Sequence, residues 1–364
     1  MQQSVSMSLS GNHRADRRII AVVPARNEED CIAGALGALF KQTRPPDWII
    51  VVADNCTDRT AEIAARFPVH VVQTVGNTHR KAGALNFVLG GFLDDCHARD
   101  LVLVTDADTV LAPSWIENAC RWMDRRPEAG AICTVYRGRQ DNGVIPFLQR
   151  LDYNQETRRI ARRKGKIDVL SGVATMFSCE VLRTVAANRG GALPGRSGDI
   201  YDVRSLTEDF ELTLAMKTLG YQPISPKDVV AVTEVMLTLS DLRRQRLRWQ
   251  RGTLETLAEY GWSRLTSRHW VAQTWTYLVS MSLPLMLALM ALSWSLGTFS
   301  YNPTWLLALP LFYAEHIFLC WKMGWRGRVF AFTIVPFWLY ENFRMFVYWS
   351  ALVKAALRNE KRWA

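Results

Sequence analysis

At 364 residues the chain has room for one large domain or two smaller ones, and its 49% hydrophobic content is uneven: the first ~260 residues read as soluble, the last ~95 as membrane. A net charge of +10 calls for an anionic partner, and the basic runs Arg158-Arg159, Arg162-Arg163-Lys164 and Arg243-Arg244-Gln245-Arg246 lie among apolar and aromatic residues, which favours a lipid bilayer over nucleic acid, for which no recognition module is found. Seven scattered cysteines without Cys-x-x-Cys, and no paired histidines, argue for a reduced location of the globular part and against a zinc site.

Met1–Gly11 is rich in Ser and Gln and lacks an apolar run. No signal peptide is expected there, and residues 1–18 are expected to form a disordered tail. Ile19–Pro24 has the pattern of a short buried strand and ends in the polar turn Ala25-Arg26-Asn27-Glu28-Glu29, leading into a helix through Ile32, Leu36 and Leu39. A second strand, Ile49–Ala53, ends in Asp54-Asn55-Cys56-Thr57-Asp58. Helix Thr60–Arg66 and strand Val69–Gln73 follow, then a helix opened by Lys81–Asn86, then strand Leu101–Thr105, which ends at Asp106-Ala107-Asp108. This alternation predicts an α/β domain over residues 19–240, with a mostly parallel sheet and helices on both faces. In such sheets ligands lie beyond the carboxyl ends of the strands. Glu28, Asp54, Asp106 and Asp108 all fall at that edge.

Each acid alone has a plain structural use. Glu28 suits a helix cap, Asp54 and Asp58 suit Asx turns, and a short acidic turn needs no metal. Lys81 suits the start of its own helix, or a phosphate. Together they form a constellation in which carboxylates and substrate phosphates can share a hard cation, Mg²⁺ or Mn²⁺. Further on, Ser205–Leu212 places Glu208 and Asp209 after a capping-type Thr207, at the start of a helix with apolar Leu206, Phe210, Leu212, Leu214 and Met216. Acids in a first turn match the helix dipole, and the same mount suits a stiff general base.

Asp241–Leu265 mixes Arg with Leu, Trp and Tyr and reads as an amphipathic helix in the membrane interface, assigned to residues 241–268; Pro146–Lys164 is another candidate. Within residues 269–364, Val271–Gly297 is long enough to span, with a kink at Pro284. Thr304–Trp321, with Glu315 and His316, and Val329–Val353, with Glu341, Asn342 and Arg344, are expected as further segments whose polar residues face protein, a glycan or a lipid phosphate. Glu341 and Arg344 suit a local i,i+3 pair. The basic Lys322–Arg328 loop against Gly297–Pro303, which has no Lys or Arg, places the basic side in the cytoplasm. Three spans would put the basic tail Lys354–Arg362 outside, so the last segment is left between spanning and re-entrant.

In this order the motifs resemble family 2 glycosyltransferases with the GT-A fold, and more narrowly the membrane-bound synthases of cellulose, chitin, hyaluronan and poly-N-acetylglucosamine. The resemblance runs from Ile19 to about Gly252. Pro24-Ala25-Arg26-Asn27-Glu28 is similar to the family's opening nucleotide-binding turn, which implicates Pro24, Arg26 and Glu28. Asp54–Asp58 is similar to the Asp-Gly-Ser-x-Asp turn that holds uracil and ribose, with Asn55 and Cys56 in place of Gly and Ser. Lys81–Asn86 resembles the stretch near the diphosphate, and Asp106-Ala107-Asp108 matches the Asp-x-Asp metal motif. Ser171-Gly172-Val173-Ala174 resembles the acceptor-side glycine segment. The Arg often found soon after it is Ser178 or Cys179 here. Thr207-Glu208-Asp209 matches Thr-Glu-Asp, whose Asp is the general base. Gln245-Arg246-Leu247-Arg248-Trp249 matches Gln-x-x-Arg-Trp, which brings in Gln245, Arg248 and Trp249.

The resemblance implies a UDP-sugar donor, an Mg²⁺ or Mn²⁺ ion on Asp106 and Asp108, catalysis by Asp209 with Glu208 beside it, and an inverting transfer onto a growing β-linked glycan at the inner membrane, from a multi-pass chain with a cytoplasmic catalytic domain. The chemistry agrees: a departing diphosphate needs cations, which Lys81 and Arg248 supply beside the metal. Two or three spans are few for enclosing a glycan channel and no membrane helix precedes Ile19, which leaves room for a homo-oligomer, or for a single transfer to a membrane lipid or membrane-presented acceptor. A non-catalytic receptor or scaffold on a transferase fold is the alternative from another class.

Overall fold

The computed structural model describes residues 17–300, 303, 309–321, 323–333 and 335–357; of the expected tail, residues 1–18, all but Arg17 and Arg18 lie outside them, and Arg18 is buried against Asp100 at 2.6 Å. The chain forms two compact units, one from residues up to Gln140 together with Glu156–Val235, the other from Asp141–Gln155 together with Met236 onward.

The first unit follows the alternation read from the sequence. Its elements are β1 (Ile19–Ala25), α1 (Ile32–Phe40), β2 (Trp48–Asp54), α2 (Thr60–Ala64), β3 (His70–Thr74), α3 (Arg80–Gly90), β4 (Leu101–Thr105), β5 (Val110–Leu111), α4 (Trp115–Arg125), β6 (Ala131–Cys133), β7 (Val135–Gly138), the end of α5 (Val144–Arg162), β8 (Ala174–Ser178), α6 (Cys179–Asn188), α7 (Glu208–Thr218) and β9 (Val230–Thr233). The main sheet runs β3-β2-β1-β4-β8-β6. Its first four strands are parallel, while β8 lies antiparallel to both β4 and β6. A small sheet, β5-β9-β7, pairs β5 with β9 antiparallel and β7 with β9 parallel. The inner parallel strands β1, β2 and β4 bury both faces, as their unbroken apolar runs require, while the edge strand β3 is mostly part-exposed. Ile19, Ala21 and Val23 of β1 pack with Leu36 and Leu39 of α1 and Trp115 and Ile116 of α4. Ile20 and Val22 pack with Leu85 and Leu89 of α3, Leu182 of α6 and Leu212 and Met216 of α7.

The last paired residues of β1 and β4 are Val22 and Val104. Pro24, which has no N–H to give, falls beyond them, where the missing donor breaks no β1–β4 pair. Helix α7 starts at Glu208 as expected, but Thr207 does not cap it: its backbone sits at φ −133°, ψ 77°, and its buried hydroxyl has no partner. Asp209 instead accepts from the Phe210 N–H through its own carboxylate at 2.7 Å. The helix is held from below by Glu211, which is fully buried against Arg189; the guanidinium also donates to the carbonyls of Pro194 and Ile200.

The second unit contains the start of α5, α8 (Leu239–Tyr260), α9 (Ser267–Ser295), α10 (Leu309–Trp321), α11 (Gly324–Ala331) and α12 (Val335–Ala356). Thr238 caps α8, its hydroxyl accepting from the Asp241 N–H at 3.1 Å. Polar bonds tie the helices together: Gln250 to Gln273 and Tyr277, Tyr277 to the Tyr348 carbonyl, Trp349 to Ser280. Among the described residues, α9 is the one helix long and apolar enough to cross a membrane. The expected multi-pass arrangement is thus not what the described residues give. Of the second expected segment, residues 304–308 and the Glu315 side chain lie outside the description, and α10 has 13 residues, where a span needs roughly 20. Helix α12 has the length, at 22 residues, but carries Glu341, Arg344 and Lys354. Arg344 bonds Glu341 at 3.1 Å, the expected local pair, and also lies 3.5 Å from Asp152. Of these charges Glu341 and Arg344 are engaged with protein, and Lys354 is exposed. His316 is buried against Phe337, and residues 358–362 of the basic tail lie outside the description.

Removing one partner of a fully buried ion pair leaves the other charge uncompensated, at a cost of about 3–5 kcal/mol, whereas replacing both with apolar side chains is close to neutral. Glu211→Ala is expected to lower the thermal midpoint sharply, with Glu211→Leu/Arg189→Met recovering most of the loss, as followed by near-UV circular dichroism.

Candidate active site

The turns after β1, β2 and β4 bring the predicted acids to one edge of the sheet. After β1, Arg26 is exposed and Asn27 takes φ 57°, and the following Glu28 N–H donates to Thr60 Oγ1 at 2.7 Å. Asp58 closes the neighbouring turn by accepting from the Glu29 N–H and the Thr60 hydroxyl. Asp54 is buried at the end of β2, and its Oδ1 accepts from Thr74 Oγ1 at 2.5 Å and Asn77 Nδ2 at 2.8 Å. Much of its capacity is therefore used in holding the loop that leads into α3.

Lys81, in the first turn of α3, is the junction of the site. Its Nζ donates to Asp106 Oδ1 at 2.5 Å and to the Gly172 carbonyl at 3.0 Å, and lies 3.6 Å from Glu208 Oε1. Burial opposes the charge of Lys81, but Asp106 and Glu208 outweigh it and raise its pKa, so the ammonium persists. Asp108 accepts from Thr109 Oγ1 at 3.0 Å and Thr233 Oγ1 at 3.4 Å. Burial pushes Asp106 up to about 7, with Lys81 pulling the other way and Asp108 adding to the rise. Burial likewise raises Asp108, helped by Glu234. Glu28 is pushed up to about 7 by burial and by Asp108, Asp106 and Glu234. Four acids therefore crowd their negative charge at one edge, with Lys81 bonded to one of them.

Beside Lys81 lies a small pocket lined by Ser171, Gly172, Tyr201, Glu208 and Asp209 together with apolar Val104, Leu170, Phe177 and Leu212. The Gly172 expectation gains a physical reason: a Cβ there would come within 3.0 Å of Asp209 Oδ2. Asn86, the last residue of the Lys81 motif, turns out to be a clamp. Its Oδ1 accepts from the Ile200 and Tyr201 N–H groups at 3.1 and 2.8 Å, and its Nδ2 donates to the Tyr201 carbonyl at 2.8 Å. The sequence reading missed Glu234 and Tyr201. Glu234 directly follows a short apolar run, Val230–Thr233, a signal that marks it only once that run is known to be a strand. Tyr201 sits in an irregular segment with no periodic signal.

Gln245, Arg248 and Trp249 belong to the second unit, on α8. There the Arg246 guanidinium sits over the Trp249 ring, 4.8 Å from its centre, and Gln245 Oε1 is buried without a partner.

Residues 20–186 match the family model described as Glycosyl transferase family 2. The family 2 glycosyltransferase match is to a domain within these residues rather than to the chain as a whole. Curated relatives include the poly-beta-1,6-N-acetyl-D-glucosamine synthases of Staphylococcus epidermidis, 23% identical over 266 residues, and of Staphylococcus aureus (strain MSSA476), 24% identical over 273 residues. The matches take in 71% and 70% of this chain, but only 60% and 61% of the relatives' own lengths. Among solved structures, a mannosyltransferase of Pyrobaculum calidifontis in complex with GDP-Man and Mn²⁺ aligns over 94% of this chain and 88% of its own, with a TM-score of 0.61 at 20% identity. The fold is GT-A, as the motifs imply.

In this glycosyltransferase domain no set of three His, Cys, Asp or Glu groups surrounds one point among the described residues. Two crowded carboxylates fit a hard divalent cation that takes its remaining oxygens from substrate phosphates or water.

The crowding has a measurable sign. Between about pH 4.5 and 7 folded Glu28 holds a proton that the unfolded chain has released, so its contribution to stability falls as pH rises through that window. In EDTA, Glu28→Gln is expected to match the wild-type melting temperature at pH 5 and exceed it at pH 8, by roughly 2–4 °C. Equal melting temperatures at both pH values would contradict the assigned crowding.

Proposed function

We propose that this chain is an inverting, membrane-bound hexosyltransferase that moves a sugar from a UDP-sugar onto a growing β-linked polysaccharide. One observation carries the reading: Lys81 links the Asp106 carboxylate of the acidic edge to Glu208, in the same pocket wall as Asp209. On this reading a base and a phosphate-binding edge share one site. The polysaccharide acceptor follows the printed names of the curated relatives.

In this proposal Pro24, Arg26, Glu28 and Asp54 shape the nucleotide turn, and Lys81 binds the diphosphate. Asp106 and Asp108 would hold Mg²⁺ or Mn²⁺, whose charge would offset that of the leaving diphosphate. The acceptor hydroxyl oxygen forms its bond to the anomeric carbon as the bond from that carbon to the diphosphate oxygen breaks. The diphosphate keeps that electron pair, and the hydroxyl proton passes to Asp209. Attack from the opposite face inverts the centre, so an α-linked donor gives a β-linked product. Glu208 holds Lys81 in place. Gln245, Arg248 and Trp249 are assigned to substrate binding on their motif, with Trp249 offering a ring for sugar stacking. Helix α9 and the Arg-rich α8 favour membrane attachment with the catalytic unit on the cytoplasmic side.

A second reading is a single transfer to a lipid or membrane-presented acceptor. The observation that favours it is that one described helix, rather than several, suits a membrane span. The test uses lipid-reconstituted protein, a panel of UDP-sugars and Mg²⁺ or Mn²⁺, reading nucleotide release and product size. A long product is expected, with Asp209→Asn slower by roughly 10²–10⁴-fold. A product one sugar longer would establish single transfer instead. Release unaffected by Asp209→Asn would overturn the assignment of the base.

A further inference from the structure

Arg246 is a variable position of the α8 motif, yet it is more deeply held than most arginines of this chain, with a side chain 14% exposed. Its Nη2 donates to Asp152 Oδ2 at 2.9 Å, while its guanidinium carbon lies 4.8 Å from the centre of the Trp249 ring. One cation is thus held between a carboxylate and an indole face. Asp152, on α5, accepts a second hydrogen bond from Tyr340 Oη at 2.6 Å and faces Arg344 Nη1 at 3.5 Å. Arg344 in turn bonds Glu341 at 3.1 Å and Tyr348 Oη at 3.3 Å. A single sheltered carboxylate gathers α5, α8 and α12.

The charges balance, two acids against two arginines. A sheltered network of this kind adds little stability over apolar side chains of the same volume. What it adds is direction. A guanidinium is planar and donates along fixed lines, so the carboxylate that holds it also sets the plane it presents to Trp249. One residue before Arg246, the Gln245 carboxamide oxygen is buried without a partner, an acceptor left for a hydroxyl donor.

We infer that Asp152 is a positioning residue for substrate binding by the α8 motif, acting through Arg246 to set the ring of Trp249. The inference rests on the proposed function in one respect, that Trp249 touches substrate. Asp152 itself touches neither substrate nor reacting atoms. A tie that only joined helices would change stability without changing how Trp249 sits.

The experiment uses the full chain in lipid, labelled with 5-fluorotryptophan, with the Trp249 fluorine resonance assigned by its loss in Trp249→Phe. Asp152→Asn keeps the volume and removes the charge. It is expected to shift the Trp249 resonance and to raise the substrate KM roughly tenfold or more with kcat little changed, as a misplaced binding contact does. Asp152→Asn/Trp249→Phe should be no worse in KM than Trp249→Phe alone. An unmoved resonance, or KM effects that simply multiply, would overturn the inference. If Asp152→Asn fails to fold, Arg246→Lys, which keeps the charge and loses the planar fork, should move the same resonance. Absence of turnover in the wild type would count against the proposed function, and the fluorine spectrum would still decide the role of Asp152.

Discussion

Negative charge gathered at one edge of the sheet is the constraint around which the catalytic unit is built. Glu28, the Asp106–Asp108 turn and Glu234 come from three separate segments, and Glu28, Asp106 and Asp108 are each raised by at least one of the other acids. Such crowding costs folding free energy, so its persistence points to a ligand that relieves it. Lys81 meets part of it from within, bonding Asp106 and approaching Glu208. In the proposed reaction a cation would answer the acids, and the diphosphate would answer Lys81.

The remainder of that unit keeps the edge rigid. The four parallel strands deliver the turns, and apolar helices cover both faces of the sheet. As the proposed base, Asp209 needs a fixed mount on α7, and three features supply one: the buried Arg189–Glu211 pair, the Thr213 hydroxyl that bonds both the Asp209 carbonyl and the Leu170 N–H, and the absence of a side chain at Gly172. The Asn86 clamp holds Tyr201 in the pocket wall. A base on a fixed mount loses less when the proton moves, because little has to reorganise.

Much of this was legible in the sequence because the signals are local. The apolar runs of β1, β2 and β4 and the acids at their ends are contiguous, and buried parallel strands admit few other readings. Short pieces were not legible. The strands of the small sheet have two to four residues, too few to show a period, and so Glu234 at the end of β9 went unseen. Thr207 had the residue type of a cap, but its backbone geometry does not let its hydroxyl reach the helix. Asn86 also acts as a clamp, a role invisible in the sequence because its partners lie more than a hundred residues away. For the helices after α9 the apolar pattern and the Glu341–Arg344 spacing were legible, but the Asp152 that Arg344 also meets lies far off in the sequence.

The most direct measurement of the account is calorimetric binding of UDP to the lipid-reconstituted chain with and without Mn²⁺, in the wild type and in Asp108→Asn. The account predicts tight binding of the nucleotide only with the metal, and loss of that coupling in Asp108→Asn. Equal affinity in Mn²⁺ and in EDTA, unchanged by Asp108→Asn, would contradict the claim that the acidic edge and the diphosphate are joined by a cation.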